Sequence, residues 1–478
     1  MRILLVIPPP LDRKSKRRKN GIPLKRGLLP PLGAGYIAAV LLQSGQEVSI
    51  IDSQALDYTL QEALRKVDIY KPEMLGVSFL TPQENNAYEF IRAVKRHFKN
   101  ITVIVGGAHP TCFPRETMER CSDIDILVEG EGEYLMLDII RCMQEGKTLA
   151  EVKGIYYRND SRQVIRTPKN DRLVDLETLP LPARHLYPLA FYAPEPFENK
   201  RLPSTNIIVS RGCSYARCSF CYRSGILKRE YRIQSVEKTI DEMKYLVSKF
   251  NIKEFIFYDD DLASNKKWLK EFCSSLCKEH LPVIWSFRAR PNAVDYEILE
   301  SAKEAGCFHV SFGFESGNQD LLDNINKGIT LEQSRQAAYW ANSLGLEVMG
   351  TFMLALPGET PEKAEKTVDF AIELDCAYAA FIPTHPFPGT PLYEQCLREN
   401  KVFSLPYSDD VHHARYIPGV TYVPSGYKDK KEVEEAVRKA YKRFYLRSAY
   451  FMKHIGRIKG FEDIKRYYSG FKFLLGLF

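Results

Sequence analysis

The sequence predicts an α/β protein: a doubly wound parallel sheet, then a partial or full (β/α) barrel, then a mostly helical C-terminal region. Three observations carry that reading. Short apolar runs alternate with amphipathic stretches through the first 145 residues. A second alternating region extends from Asn206 to Pro383. From about residue 396 the pattern turns irregular and then helical, rich in Tyr, Phe, Lys and Arg. A length of 478 residues suits two or three domains better than one.

In the first region the apolar runs at 2–7, 47–51, 74–79, 102–105 and 124–128 read as buried strands. The stretches at 32–43, 60–70, 83–98, 114–120 and 133–144 carry apolar residues at helical spacing. A strand pair is expected at 152–158 and 163–167, and the irregular, Pro-rich segment after Leu179-Pro-Leu-Pro182 reads as a linker. In the second region strands are expected at 206–210, 254–258, 283–287, 309–313, 347–354 and 379–383. The expected domains are 1–185, a linker at 186–205, 206–395 and 396–478.

Composition narrows the class. Hydrophobic residues at 45% and charged residues at 27% describe a folded, globular chain. There is no run of eighteen apolar residues, and Met1-Arg-Ile-Leu-Leu-Val-Ile-Pro-Pro-Pro10 is too short for a signal peptide. The expectation is therefore a cytoplasmic protein whose 11 cysteines are reduced, with any cluster of them serving a metal. The net charge of +7 sits in the tail, where residues 428–478 hold fourteen Lys/Arg against six Asp/Glu. Basic residues beside aromatics from Tyr441 to Phe478 fit either peripheral membrane contact or a helix packed over the barrel with a solvated basic face. No nucleic-acid module accompanies the charge, so nucleic acid is not an expected partner.

Ser210-Arg-Gly-Cys-Ser-Tyr-Ala-Arg-Cys-Ser-Phe-Cys-Tyr222 places three thiols within nine residues, directly after an expected strand. Thiolate is the soft ligand that iron–sulfur clusters take, and three ligands leave one iron open. A structural zinc would want a fourth Cys or His nearby, yet the next cysteines are Cys273 and Cys277. A zinc knuckle completed from a distance and inert buried thiols are the competing readings.

A strand, Arg-Gly-Cys, two further cysteines and an aromatic before the last one resemble the radical S-adenosylmethionine (SAM) superfamily. The resemblance implies a 4Fe–4S cluster on Cys213, Cys218 and Cys221, with the open iron taking the amino and carboxylate groups of SAM. One-electron reduction would then release a 5′-deoxyadenosyl radical. One departure stands out: four residues, not three, separate Cys213 from Cys218. A loop can absorb the extra one.

Further motifs follow in the order of that family. Phe255-Ile-Phe-Tyr-Asp-Asp-Asp-Leu262 is a strand ending in three carboxylates, whose alternative reading is an acidic helix cap. Ser311-Phe-Gly-Phe-Glu-Ser-Gly317 puts Glu315 past another strand, and Asn326-Lys-Gly328 follows; a plain turn is the alternative there. Phe287-Arg-Ala-Arg-Pro291 supplies two arginines at a strand end, either of which suits the SAM carboxylate or a surface ion pair. The resemblance implies SAM contacts from Phe220, Tyr222, Asp259, Asp260, Arg288, Glu315, Ser316 and Gly317.

The first region resembles the cobalamin-binding domain that precedes the radical SAM core in one branch of that superfamily, hopanoid-associated and anaerobic ring-cyclase members among it. The resemblance rests on Leu29-Pro-Pro-Leu-Gly-Ala-Gly-Tyr36, Val105-Gly-Gly-Ala-His-Pro-Thr111 and Val128-Glu-Gly-Glu-Gly-Glu133, which lie on one sheet edge where such folds bind ligands. It implies cobalamin contacts from Leu32, Gly33, Gly106, Gly107, His109, Pro110, Thr111, Glu129 and Gly130. The Asp-x-His-x-x-Gly signature of a cobalt-ligating histidine is absent, so cobalt is expected without a protein imidazole below it. The alternative is a nucleotide-like fold that has lost its cofactor.

The function implied is methyl transfer to an unactivated carbon of a small or lipid-like substrate, using a 4Fe–4S cluster, SAM and cobalamin. Reduced flavodoxin or ferredoxin is the expected electron donor. A radical cyclase, rearrangement or carbon–carbon coupling without methylation is the second expectation, and a metal-stabilised binding protein without turnover is the third.

Overall fold

The computed structural model describes residues 1–10, 25–195, 198–224, 230–399, 420–455 and 460. It divides into two compact units, Met1–Ala193 and Pro194–Phe478.

The first unit is built on a seven-stranded sheet of β1 (Arg2–Ile7), β2 (Glu47–Asp52), β3 (Met74–Ser78), β4 (Thr102–Gly106), β5 (Ile126–Val128), β6 (Ile155–Arg158) and β7 (Val164–Arg166), in the order β2-β1-β3-β4-β5-β6-β7. The first five strands pair parallel. Helices α1 (Leu32–Gln43), α2 (Leu60–Tyr70), α3 (Glu84–His97), α4 (Pro114–Arg120) and α5 (Glu133–Gln144) connect them. Strand β1 is apolar from Ile3 to Ile7 because both its faces are covered there. Ile3 and Leu5 share one core with Ala34 and Ala38 of α1 and Ile139 of α5. Leu4 and Val6 share the other with Val67 of α2 and Phe90 of α3.

The strand pair expected at 152–158 and 163–167 forms as β6 and β7, which join the sheet's edge antiparallel. Their connection is too short for a parallel crossover. It closes through Asn159 N–H to Gln163 O, with Arg162 at φ 61. One difference concerns the expected linker. Ala183, Tyr187 and Tyr192 are buried in the first core, with the Tyr192 hydroxyl 2.8 Å from Asp52 Oδ2 and the Tyr187 hydroxyl 2.6 Å from Pro31 O. The prolines there disguise an anchoring segment, and the boundary between units falls after Ala193.

The second unit carries six parallel strands in chain order: β8 (Ser204–Ile207), β9 (Glu254–Phe257), β10 (Ile284–Ala289), β11 (Cys307–Glu315), β12 (Glu347–Leu354) and β13 (Tyr378–Pro383). β8 and β13 are its two ends, so the barrel is partial. Helices α6 (Val236–Phe250), α7 (Lys266–Glu279), α8 (Tyr296–Glu304), α9 (Leu331–Ser343) and α10 (Pro361–Glu373) precede the later strands or follow them. One strand face supplies Phe255, Phe257, Trp285, Phe287, Phe312 and Phe352 to the helix-covered core. Alternation turns Ser286, Arg288, Ser311 and Thr351 to the opposite face.

Beyond these lie α11 (Pro391–Arg398), α12 (Lys430–Tyr445) and α13 (Ser448–Ile455). α12 packs on the last strand: the Tyr441 hydroxyl accepts from Phe381 N–H, and the Tyr445 hydroxyl meets both N–H and O of Ala379. Tyr450 of α13 donates to Ala377 O. Tyr441, Tyr445 and Tyr450 of the aromatic tail are thus packed, while 456–459 and 461–478 lie outside the described residues. Among the described residues no helix is long and apolar enough to cross a membrane.

Candidate active site

The strand expected at 206–210 ends early, and its end shapes the cysteine loop. Asp259, fully buried just past β9, accepts from the N–H groups of Val209 and Ser210 and from the Ser210 hydroxyl. Those groups leave the ladder, and Ser210–Arg211 pairs instead with Arg232–Ile233. The chain then enters the loop of Cys213, Cys218 and Cys221, of which Cys218 is buried and the others half-buried.

The extra residue of this loop is absorbed locally. Ala216 takes φ 43, in the left-handed region that a non-glycine enters only at a cost. Tyr215 swings outward so that its ring covers the Arg290 guanidinium at 4.0 Å and its hydroxyl donates to Asn326 O at 3.0 Å. The Asn326-Lys-Gly turn braces the loop from the far side. Ser219 N–H donates to Ile325 O, and Asn326 Nδ2 donates to Arg217 O. A Cβ at Gly328 would lie 2.2 Å from the Tyr215 hydroxyl, so only glycine fits. That turn is a clamp on the cysteine loop.

Burial pushes the thiols of Cys218 and Cys221 up. Lys327 and Arg290 pull Cys218 back, and the Arg223 backbone N–H does so for Cys221. Cys213 and Cys218 both act electrostatically on Cys221, so the three thiols share one neighbourhood. Among the described residues no three Cys, His or carboxylate groups converge on a point that would hold a single metal ion. A cubane asks for no such point, because each thiolate takes a different iron; three thiols flanked by cations fit a cluster better than a lone zinc.

Glu315 ends β11 at φ 62, another left-handed non-glycine, and its Oε1 lies 2.6 Å from Lys327 Nζ with both side chains nearly enclosed. Asp260 is the open member of the acidic triplet and pairs with Arg223 Nε at 2.9 Å. Asp261 is buried, bound by Ser264 Oγ and by Arg290 N–H. Phe220 packs toward Leu321, Ile325 and Leu392, and the Tyr222 ring meets Phe387 at 5.0 Å.

Three of the residues expected to contact SAM have other partners in the structure. Arg288 lies flat on Tyr258 at 3.8 Å and 3.6 Å from Glu198, so the arginine that reaches the cysteine loop is Arg290. Ser316 is fully buried against Thr367 Oγ1. A Cβ at Gly317 would lie 2.7 Å from Phe370 Cβ and 2.8 Å from Lys366 O, so the close approach of α10 explains this glycine. Arg290, Lys327, Tyr215 and Asn326 were not assigned from sequence. Arginines two apart share a strand face, and nothing in the sequence tells which one meets a loop 72 residues earlier.

Burial raises the Asp259 carboxyl from 3.8 to about 7 and that of Glu359, which accepts from the Tyr427 hydroxyl, from 4.5 to about 7. The folded chain then keeps protons that the unfolded chain releases, so this stabilisation is complete below about pH 4 and is lost as pH rises to about 7. Urea melts of the metal-free chain should show stability falling across that window. Asp259→Asn should remove its share, on the order of a few kcal/mol; an unchanged slope contradicts the assignment.

In the first unit the strand ends bring Gly33, Gly106, Gly107, Glu129 and Gly130 to one edge. Thr111 ties it together, its hydroxyl donating to Gly107 O at 2.8 Å and accepting from Gly130 N–H at 3.0 Å. Glu129 pairs with Arg166 at 3.5 Å. Leu32 and Pro110 are buried in the fold. His109, expected among the cobalamin contacts, is 1% exposed, between the rings of Phe79 and Phe113, with Nε2 3.6 Å from Glu84 Oε1. Burial pushes it down to about 4, so it is neutral. Around Gly33 an added Cβ meets nothing within 4 Å. This backbone edge, with open space at Gly33 and His109 turned into the core, fits a broad planar ligand.

The two glycines separate fold from binding. Gly107 sits at φ 102 with Ser78 Oγ and Phe79 O 2.9 Å from an added Cβ, so Gly107→Ala should cost about 1–3 kcal/mol of stability. Gly33→Leu, in the first turn of α1, should hold stability or raise it by up to about 1 kcal/mol. It should nevertheless block cobalamin uptake by the apo-chain, read by absorbance after gel filtration; normal uptake would move the pocket elsewhere.

Comparison with known proteins follows the same division. Residues 26–140 match the B12 binding domain, and residues 207–371 match the radical SAM superfamily. The chain is 31% identical over 470 residues to an uncharacterized methyltransferase of Pyrococcus horikoshii, covering 98% of each. It is 28% identical to the anaerobic magnesium-protoporphyrin IX monomethyl ester cyclase of Rubrivivax gelatinosus, over 89% of this chain and 75% of that one. Its fold is similar to the radical S-adenosylmethionine methyltransferase TsrM of Kitasatospora setae, solved with cobalamin and a 4Fe–4S cluster: TM-score 0.71, 17% identity, 92% of this chain and 88% of that one.

Proposed function

Because this chain belongs to the radical SAM superfamily and carries a B12-binding domain ahead of its radical SAM domain, we propose that it transfers a methyl group to an unactivated carbon of a small or lipid-like molecule. It is an enzyme, and its cofactors are a 4Fe–4S cluster, SAM and cobalamin. The observation that carries the methylation reading is the similarity to a methyltransferase over 98% of each chain.

In this reading Cys213, Cys218 and Cys221 hold the cluster, and Gly33, Gly106, Gly107 and Gly130 floor the cobalamin pocket. When bound, the cluster supplies the electron that opens the sulfonium of SAM, and the cobalamin carries methyl. The rest is the work of the side chains. Asp259 fixes the entry to the cysteine loop and the Ile325–Gly328 turn fixes its exit. Lys327 holds Glu315 at the strand end through Oε1, in the position from which its carboxylate would meet SAM. A small-molecule substrate and a one-electron reductant complete the system, and reduced flavodoxin or ferredoxin suits the second role.

The test is anaerobic turnover with SAM, cobalamin and dithionite. Methylation gives S-adenosylhomocysteine together with 5′-deoxyadenosine. The similarity to a ring cyclase favours a second reading, a radical cyclisation or rearrangement without methylation. 5′-Deoxyadenosine with no S-adenosylhomocysteine would select it.

Peripheral membrane contact also belongs to this proposal. Leu446, Phe451 and Met452 are exposed beside the basic end of α12, and the rest of the tail is rich in Lys, Arg, Phe and Tyr. Anionic liposomes should retain the chain, less at high salt; equal recovery on neutral liposomes would leave only the packed helix.

A further inference from the structure

We propose that Arg290 sets the reduction potential of the cluster, raising it through a charged hydrogen bond to the Cys218 sulfur. The inference rests on Cys218 being a cluster ligand. Arg290 ends β10's run toward the loop and is 7% exposed. Its Nη1 lies 3.6 Å from Cys218 Sγ, a normal length for a bond to sulfur, and its Nη2 donates to Lys327 O. The Tyr215 ring covers one face of the guanidinium. Its backbone N–H is held by Asp261.

The charge balance singles it out. Among the described residues Arg288, Arg223 and Lys327 each have a carboxylate in ion-pair contact, whereas the Arg290 guanidinium has none; the neighbouring Asp261 carboxylate takes the Arg290 backbone N–H and acts on the guanidinium only from further off. A buried cation with no carboxylate in direct contact is expensive unless something else anionic sits beside it. The sulfur it touches is where that anion would form. The oxidised cluster takes one electron from a one-electron reductant and gains one negative charge, with no proton moved. A fixed cation at hydrogen-bond distance from a ligand sulfur stabilises the more negative state, which makes the cluster easier to reduce. Arg290 is a positioning residue in this sense: it acts on the cluster through its ligand.

The test is a redox titration, followed by EPR, of the anaerobically reconstituted full-length chain without SAM. Arg290→Met, at unchanged iron content, should disfavour reduction at least tenfold, a midpoint about 59 mV more negative. A smaller shift, or one upward, overturns the inference. Should Arg290→Met fail to fold, chain grown on guanidino-¹⁵N arginine gives an independent reading. Pulsed EPR of its reduced cluster should show a ¹⁵N coupling that vanishes in Arg290→Lys; absence of coupling in the unsubstituted chain overturns it equally. A chain that assembles no cluster contradicts the ligand assignment instead.

Discussion

Replacing Cys213, Cys218 and Cys221 together by alanine should take the anaerobically reconstituted chain from about four irons to none. The visible absorption of the cluster should go with them. The expectation follows from geometry that no other cysteines share. Cys273, Cys307, Cys376 and Cys396 are buried, and burial pushes Cys273 and Cys307 far from the thiolate form that a metal needs. Cys277 is exposed on α7 and makes the control: Cys277→Ala should keep its full iron. Because ligand loops gain order from their metal, the triple variant should also lose protection from proteolysis around the loop. Full iron in the triple variant would end the cluster reading.

The second large effect belongs to Lys327. Its ammonium and the Glu315 carboxylate lie 2.6 Å apart, with side-chain exposures of 7% and 10%. Removing one member of so enclosed a pair strands the other charge away from water. Lys327→Met should therefore destabilise the chain by about 3–5 kcal/mol, read by urea unfolding of the metal-free protein. Glu315→Gln added to it should restore most of that loss, because the stranded charge is then gone. Glu315→Gln alone should weaken SAM binding by roughly 1.5–3 kcal/mol, the loss of a charged hydrogen bond. An additive double variant would mean that the two residues do not depend on each other.

How much of this was legible in the sequence varies with the physics of each feature. The helices at 32–43, 60–70, 114–120 and 133–144 are where they are expected; those at 60–70 and 133–144 have an apolar face that marks them plainly. The strand at 347–354 was equally plain, and the cysteine triplet is visible because its residues are adjacent in the chain. What stayed hidden depends on partners distant in sequence. Asp259 ends β8 early through hydrogen bonds that span about fifty residues. His109 reads as a loop histidine beside two glycines, yet Phe79, thirty residues upstream, encloses it. Gly317 resembles a ligand-facing glycine, and only the path of α10 shows what it makes room for. Tyr187 and Tyr192 lie in a Pro-rich stretch whose composition suggests a linker, whereas their burial makes it part of the first core.

The tyrosines of α12 and α13 have a consequence for the protein's behaviour in company. A partial barrel ends in a strand with one row of backbone groups unmatched, and such a row is a template for strands of other molecules. Along β13 most of that row is already taken. Tyr450 occupies Ala377 O, Tyr445 occupies both groups of Ala379, Tyr441 occupies Phe381 N–H, and Pro383 has no N–H to offer. Side-chain hydroxyls thus stand in for a seventh strand, and the enzyme can leave its barrel open to substrate while its last strand remains closed to intermolecular strand addition.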